Sequence, residues 1–208
     1  MSDAAPGLRE RKRRATRLAI QQAALRIAIE DGLQAVTVDE VSRRADVSPR
    51  TFFNYFPNKE AAILGDDPTL PDDVELETFV AGGPTGELLA DLGTLLVHST
   101  RELIEERALI EERQQVLRSA PELFSRRMEL MKEFQTAIER AVVERLRKQG
   151  EHEDAGLRRR ARLASMVALA ALRHAWWEWS EAGVDTHLVD ELQRSFDDLG
   201  ALVSRSLV

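Results

Sequence analysis

Between Thr37 and Lys59 the chain reads TVDEVSRRADVSPRTFFNYFPNK, and this stretch constrains the fold most because it carries two helix starts around a tight turn. Thr37 opens a capping box, with Glu40 three residues on, so that each side chain can meet the other's backbone donor at a helix start. The spacing predicts a helix over Val38 to Ala45. Asp46 follows where the chain must turn sharply, and a short polar side chain tolerates the left-handed backbone of such a turn better than most. Ser48 restarts the helix as an N-cap. Pro49 suits the first helical position because the amide it lacks had no partner there. The second helix is expected over Pro49 to Tyr55, which makes the pair a helix-turn-helix.

The second helix divides into two faces. Phe52 and Phe56 recur at helical spacing and are expected to bury against the preceding helices, while Arg50, Thr51 and Asn54 are polar and free to read something. A DNA-reading helix uses its N-terminal part on base edges in the major groove, which suits Arg50 for guanine and Thr51 or Asn54 for nearby bases or phosphates. Tyr55 and Lys59 would then sit at phosphates. A surface hairpin with solvated charges fits the spacing as well. Beyond Pro57, Asn58 can cap a further short helix with Lys59 at its start, where amides and an ammonium group together make a phosphate clamp.

Apolar residues repeat at three and four through almost the whole chain, so the fold is expected to be all-α. With 208 residues, 43% hydrophobic and 31% charged, the chain is long enough for one large domain or two modest ones. No apolar run is long enough to cross a bilayer and the N-terminus is charged, so no membrane association and a cytoplasmic location are expected. The absence of cysteine excludes disulfides, thiolate metal sites and a cysteine nucleophile.

The net charge of −7 is unevenly divided. Residues 1–60 hold eleven Lys or Arg against eight Asp or Glu, a balance of +3, and the remainder hold 18 against 28, a balance of −10. Arg9, Arg11, Lys12, Arg13, Arg14 and Arg17 form a basic arm before a first helix expected over Ala15 to Glu30, near enough in sequence to the helix-turn-helix to reach the same DNA. A solvated charge run is the alternative for the arm alone. Ile20, Ala24 and Ile27 share one face of that first helix, are expected on Val38, Val41 and Phe52, and Gly32 marks its stop.

The helix, the Thr37-capped helix, the VSPRT turn, the aromatic FFNYF and the PNKE continuation together resemble the DNA-binding domain of the TetR family of bacterial transcriptional regulators, over about residues 15–64. The resemblance implies an N-terminal three-helix reader joined to a larger helical domain that dimerises and usually binds a small-molecule effector. It implies phosphate contacts for Thr37, Ser48, Tyr55 and Lys59, and base contacts for Arg50, Thr51 and Asn54, with Pro49 at the start of the reading helix. Two positions depart from the family pattern: Asp46 stands where glycine is usual, and Phe53 where tyrosine is usual, which removes a hydroxyl from the DNA side.

The expected domains are residues 1–64, an acidic Pro/Gly-rich connector at 65–86 with a short helical turn near Val74 to Val80, and a helical domain at 87–208. Asp66, Asp67, Asp72 and Asp73 in the connector are read as solvated, and no metal and no cofactor is expected. In the second domain Leu88, Leu92, Leu95, Ser99 and Leu103 share one helical face. Ile104, Leu109, Ile110 and Leu117 mark another helix, and Pro121 precedes a long one to Lys148. Its stripe of Phe124, Met128, Met131, Ile138, Val142 and Leu146 reads as core, or as the deformable wall of an apolar pocket.

Leu163 to Ala175 is apolar or small on nearly every side, which predicts burial all round before a stop at Gly183. Leu169, Leu172, Trp176 and Trp179 share one face and Val167, Ala170, Ala171 and His174 another. The last helix, from near Thr186, repeats Leu188, Leu192, Phe196, Leu199 and Val203. Val167, Ala171, His174 and that last stripe are expected to form a homodimer interface, or else to close the monomer core.

The run from QQVLRSAPELFSRR through ARLASMVALAALRHAWWEWSEAG is similar to the C-terminal domain of the mycofactocin-system-regulator subgroup, described as binding acyl-CoA-like ligands. That resemblance implies a tunnel lined by Phe124, Met128, Met131, Leu172, Trp176 and Trp179, with Arg127 or Arg173 at an anionic head group. The alternative is that the tryptophans fill core and Arg173 pairs with a glutamate. The expected activity is a homodimeric repressor of double-stranded operator DNA, released by a small apolar effector such as a long-chain acyl-CoA. A DNA-binding regulator without an effector, constitutive or architectural, fits the sequence too. An enzyme is disfavoured, because His98, His152, His174 and His187 have no serine, carboxylate pair or phosphate loop beside them in the pattern.

Overall fold

A computed structural model of the chain describes residues 7–65, 69–71, 74–101, 107–152, 154–181 and 186–205. Among these residues the structure is all-helical, with an N-terminal helix-turn-helix and a helical C-terminal part. Ile104, Gly183 and the connector residues Asp66, Asp67, Pro68, Asp72 and Asp73 lie outside the described residues. The chain divides into two compact units, residues 1–67 with 105–128, and residues 68–104 with 129–208.

The first unit contains α1 (Leu8–Glu30), a 3-10 turn (Leu33–Ala35), α2 (Val38–Arg44), α3 (Pro49–Tyr55), α4 (Lys59–Leu64), and later α7 (Arg107–Ser119) with the first residues of α8 (Pro121–Lys148). The expected basic arm is in fact helical: α1 begins at Leu8 rather than Ala15, because arginine and lysine are good helix formers and nothing before Ala15 breaks the pattern. The helix stops where Gly32 takes φ +86°. Helix α1 is the centre of the unit. It packs on α2 and α4 on one side and on α7 on another, which is why Ile20, Ala23, Ala24, Leu25 and Ile27 are all buried although they do not share a single stripe. The buried guanidinium of Arg113 on α7 donates to the Ile63 carbonyl, 2.7 Å away, and so satisfies an orphan acceptor at the end of α4.

The second unit contains α5 (Val74–Val80), α6 (Leu88–Arg101), the remainder of α8, α9 (Ala155–Glu181) and α10 (Leu188–Arg205). α10 packs on both α6 and α9. Gly93 permits the first contact, since a Cβ there would lie 2.8 Å from Cγ of Phe196. A row of alanines on α9, Ala161, Ala164, Ala168, Ala171 and Ala175, is buried and permits close approach on the inner side.

Two expected stripes differ. On α8 the buried apolar positions are Leu123, Leu130, Phe134, Ile138, Ala141, Val142 and Leu146, whereas Phe124 and Met128 are exposed. The two series overlap from Ile138 onwards, and the earlier turns are rotated by about one residue. α9 is not buried all round within one chain. Leu163 and Met166 are 60% and 55% exposed, because the alanine row already satisfies the helix's inner contacts and leaves the bulkier outer residues uncovered.

An ion pair lies in the interior of the second unit. Arg145 on α8 meets Asp91 on α6 at 2.8 Å with both side chains essentially inaccessible to water. The guanidinium also donates to the carbonyls of Phe79, Gly82 and Gly83 and lies over the Phe79 ring. Asp91 accepts from the Thr85 amide and hydroxyl and from the Gly86 amide. The α5–α6 turn is thereby tied to α8 with its buried acceptors satisfied.

Burial pushes the Asp91 carboxyl up, but the hydrogen bonds from Thr85 and then the Arg145 guanidinium outweigh it, so its pKa lies below the ordinary value. Its contribution to stability is therefore complete above the ordinary carboxylate pKa and is lost as pH falls through the lowered folded value. Arg145→Met should cost about 3–5 kcal/mol by leaving a buried carboxylate unpaired, read by urea unfolding followed by circular dichroism. Asp91→Asn should remove this acid-side component, making the decline of stability below about pH 4 shallower than in the unmodified chain.

Candidate nucleic-acid interface

α2, α3 and α4 are only seven, seven and six residues long, and each begins with a side-chain cap. Thr37 Oγ1 accepts from the Glu40 amide at 3.2 Å, Ser48 Oγ from the Thr51 amide at 3.0 Å, and Asn58 Oδ1 from the Ala61 amide at 2.8 Å. The reciprocal half of the capping box is not made. The Glu40 carboxylate instead receives two bonds from Arg43, a charge-assisted pair that a neutral amide does not match. Asp46 adopts φ +54°, and the Val47 amide closes the turn on the Ser42 carbonyl.

Phe52 and Phe56 are buried, with ring centroids 6.1 Å apart, and they seat α3 on the unit's core. Arg17, grouped by sequence with the basic arm, lies with its guanidinium 4.3 Å from the centre of the Phe56 ring and donates to the Tyr55 carbonyl at 3.0 Å. It satisfies a carbonyl at the C-terminal end of α3, where a cation also suits the helix dipole. Arg44 binds Glu30 and Asp31 and ties α2 to the end of α1.

Seated this way, α3 exposes Pro49, Arg50, Phe53 and Asn54 as one continuous face. Arg50 and Asn54 therefore stand where base edges could be reached. Thr51 is half-buried and its hydroxyl lies 2.8 Å from Ser48 Oγ, so the capping network already engages it. Phe53, which the polar pattern passed over, is 56% exposed and belongs to the same face. The sequence signal for it was its i+3 offset from Arg50. Thr37 and Ser48 are exposed, Tyr55 is half-buried, and the Lys59 ammonium donates to the Val36 carbonyl at 2.8 Å. Arg13 and Arg14 are exposed on the first turns of α1.

The residues expected at an effector do not share one unit. Phe124, Arg127 and Met128 belong to the first, the first and last of them exposed and Arg127 half-buried. In the second unit Met131 and Trp176 are half-buried, Arg173 is exposed, and Leu172 and Trp179 are buried. Trp179 stacks edge-on to Trp176 and donates its indole N–H to the Thr186 carbonyl.

Of the residues expected at a subunit interface, Val167, Ala171, His174 and Leu199 line an open groove between α9 and α10, and Val203 is exposed. Leu188, Leu192 and Phe196 are instead core residues of the chain itself, because α10 turns that side onto α6 and α9. Among the described residues no three His, Asp or Glu side chains gather to hold a metal ion, and no helix is long and apolar enough to cross a membrane. Ser48→Ala should cost about 1 kcal/mol by freeing the Thr51 amide, and thermal unfolding of the purified protein measures it.

Residues 20–63 match the family model described as bacterial regulatory proteins, tetR family. Over 59 residues the chain is 41% identical to the HTH-type transcriptional regulator TcmR of Streptomyces glaucescens, which is 28% of this chain and 26% of that protein. The chain thus matches about a quarter of the length of that curated relative. Among solved structures it resembles a putative TetR-family regulator from Mesorhizobium loti at TM-score 0.45 and 16% identity, covering 92% of this chain and 98% of that one. It also resembles Salmonella enterica GusR at TM-score 0.44 and 23% identity, covering 88% and 94%. The N-terminal match coincides with the capped helices, the Asp46 turn and the polar face of α3, so residues 20–63 form a helix-turn-helix that is similar to that of the bacterial tetR regulators.

Proposed function

We propose that the whole chain is a sequence-specific, cytoplasmic transcriptional regulator that binds operator DNA as a homodimer and represses until an effector releases it. The observation that supports it most is the α3 face, where Arg50 and Asn54 are exposed on a helix whose start, turn and far end are each fixed by named hydrogen bonds. In this reading residues 1–64 read DNA, 65–86 connect, and 87–208 dimerise and respond. Thr37, Ser48, Tyr55 and Lys59 approach phosphates, and Arg13 and Arg14 add a sequence-independent attraction.

Dimerisation through α9 and α10 is supported by their uncovered apolar residues, Leu163, Met166 and Trp177 on one helix and Leu202 and Val203 on the other. Such a patch is unusual for a chain that works alone. An effector with an apolar body, an acyl-CoA-like molecule in the narrower reading, follows from the resemblance of the C-terminal sequence. It releases DNA if it prefers a different spacing of the two reading helices. A coupling of about 1–3 kcal/mol gives a 5- to 150-fold change in operator affinity.

The test is binding to duplexes selected from random DNA by the purified protein, followed by fluorescence anisotropy, with and without long-chain acyl-CoAs. Arg50→Ala should relax base preference at one position of the site by about 1–3 kcal/mol of discrimination. Unchanged discrimination would remove Arg50 from the reading role. Arg13→Ala should weaken binding to all sequences alike and reduce the slope of log affinity against log salt by about one. An unaltered slope would leave that arginine as solvated surface.

A further inference from the structure

Phe53 is the only large apolar side chain on the exposed face of α3, and it lies between Arg50 and Asn54 at helical offsets of three and one. Its ring stands edge-on to Phe52 at 87° with centroids 5.5 Å apart, and Phe52 has no exposed surface. The Phe53 ring therefore has a fully buried neighbour on one side while more than half of the residue remains in water. Arg50 and Asn54 offer hydrogen bonds on either side of it, whereas a phenyl ring offers none and cannot meet a phosphate oxygen.

We infer that Phe53 is a specificity-determining residue, which reads the C5-methyl group of a thymine next to the base pair that Arg50 contacts. The inference rests on the DNA reading proposed above. In the major groove the thymine methyl is the one apolar feature among donors and acceptors, and phenylalanine is among the side chains that recognise it by contact. Covering the ring with a methyl group removes apolar surface from both partners, while a cytosine at that position presents no methyl to the ring. The side chain supplies this contact with little loss of freedom, because only two torsions are fixed and Phe52 already restricts them. Arg50 and Phe53 share one helical face, so the half-site should contain a guanine and a thymine in neighbouring base pairs.

The experiment removes the methyl group alone. Each thymine of a duplex selected from random DNA by the unmodified protein is replaced in turn by deoxyuridine, and affinity is measured by anisotropy for the unmodified chain, F53A and R50A. Loss of the methyl should weaken the unmodified protein about four-fold at one position per half-site, the size expected for uncovering a single methyl. F53A should bind the thymine and deoxyuridine duplexes equally at that position, and R50A should keep the difference. F53L, which retains apolar contact without the ring, should retain part of it and controls for an indirect effect on folding. If deoxyuridine is tolerated everywhere by the unmodified protein, or if F53A loses the same factor as the unmodified protein, the assignment of Phe53 is overturned while the DNA reading stands. If no duplex is enriched from the random pool, the DNA reading falls and this inference with it.

Discussion

Helices of six or seven residues have no independent stability in water, because nucleation fixes several backbone torsions before one hydrogen bond repays them. The first unit of this chain contains three such helices in succession, α2, α3 and α4. Each is started by a side-chain cap, at Thr37, Ser48 and Asn58; α2 and α4 are held by burial against the long α1, and α3 packs on α2. Neither device suffices alone. Caps fix where a helix begins, and the burial of Val41, Phe52, Phe56, Ala62 and Ile63 supplies the apolar contact that a single turn of helix cannot. The same arrangement fixes the exposed face of α3, since burying Phe52 and Phe56 leaves only one side of that helix outward.

Arginine performs a different task in each unit. Arg17 and Arg113 close orphan carbonyls at the ends of α3 and α4, and Arg44 joins α2 to α1. Arg145 crosses the interior of the second unit to reach Asp91 and three carbonyls of the α5–α6 turn. A lysine would make a poor substitute there, because the planar fork directs several donors at fixed angles. The basic count of the N-terminal segment therefore overstates the charge available to DNA, as part of it is spent on backbone acceptors.

The starts of α2, α3 and α4 were legible because Thr37, Ser48 and Asn58 act through bonds to residues three positions away, and the start of α8 because Pro121 suits a first helical position that needs no amide donor. The left-handed Asp46 was legible because a short polar side chain tolerates that backbone in a tight turn. What could not be read was decided by distant neighbours. Nothing in the local pattern of α9 says that its alanines rather than Leu163 and Met166 face inward, because both sets are apolar. Arg145 and Asp91 belong to different helices and carry no spacing signal. On α3 the polar pattern pointed to an outward position for Arg50 and Asn54, which both residues have, but Thr51 was absorbed by the cap and Phe53 took its place outward, an outcome that depends on how α3 is rotated by its two buried rings.

The tryptophans of this chain occur at positions 176, 177 and 179 alone, and its single tyrosine is Tyr55. All of the indole emission thus arises from less than two turns of α9, with Trp179 buried and Trp177 64% exposed, while the one phenol sits at the end of α3. The protein carries, without labelling, a separate optical signal on each of its two units. In a single chain a water-soluble quencher would reach Trp177 well before Trp179, and a partner that covers the outer side of α9 would remove that difference, so the indoles report by light whether this side is covered.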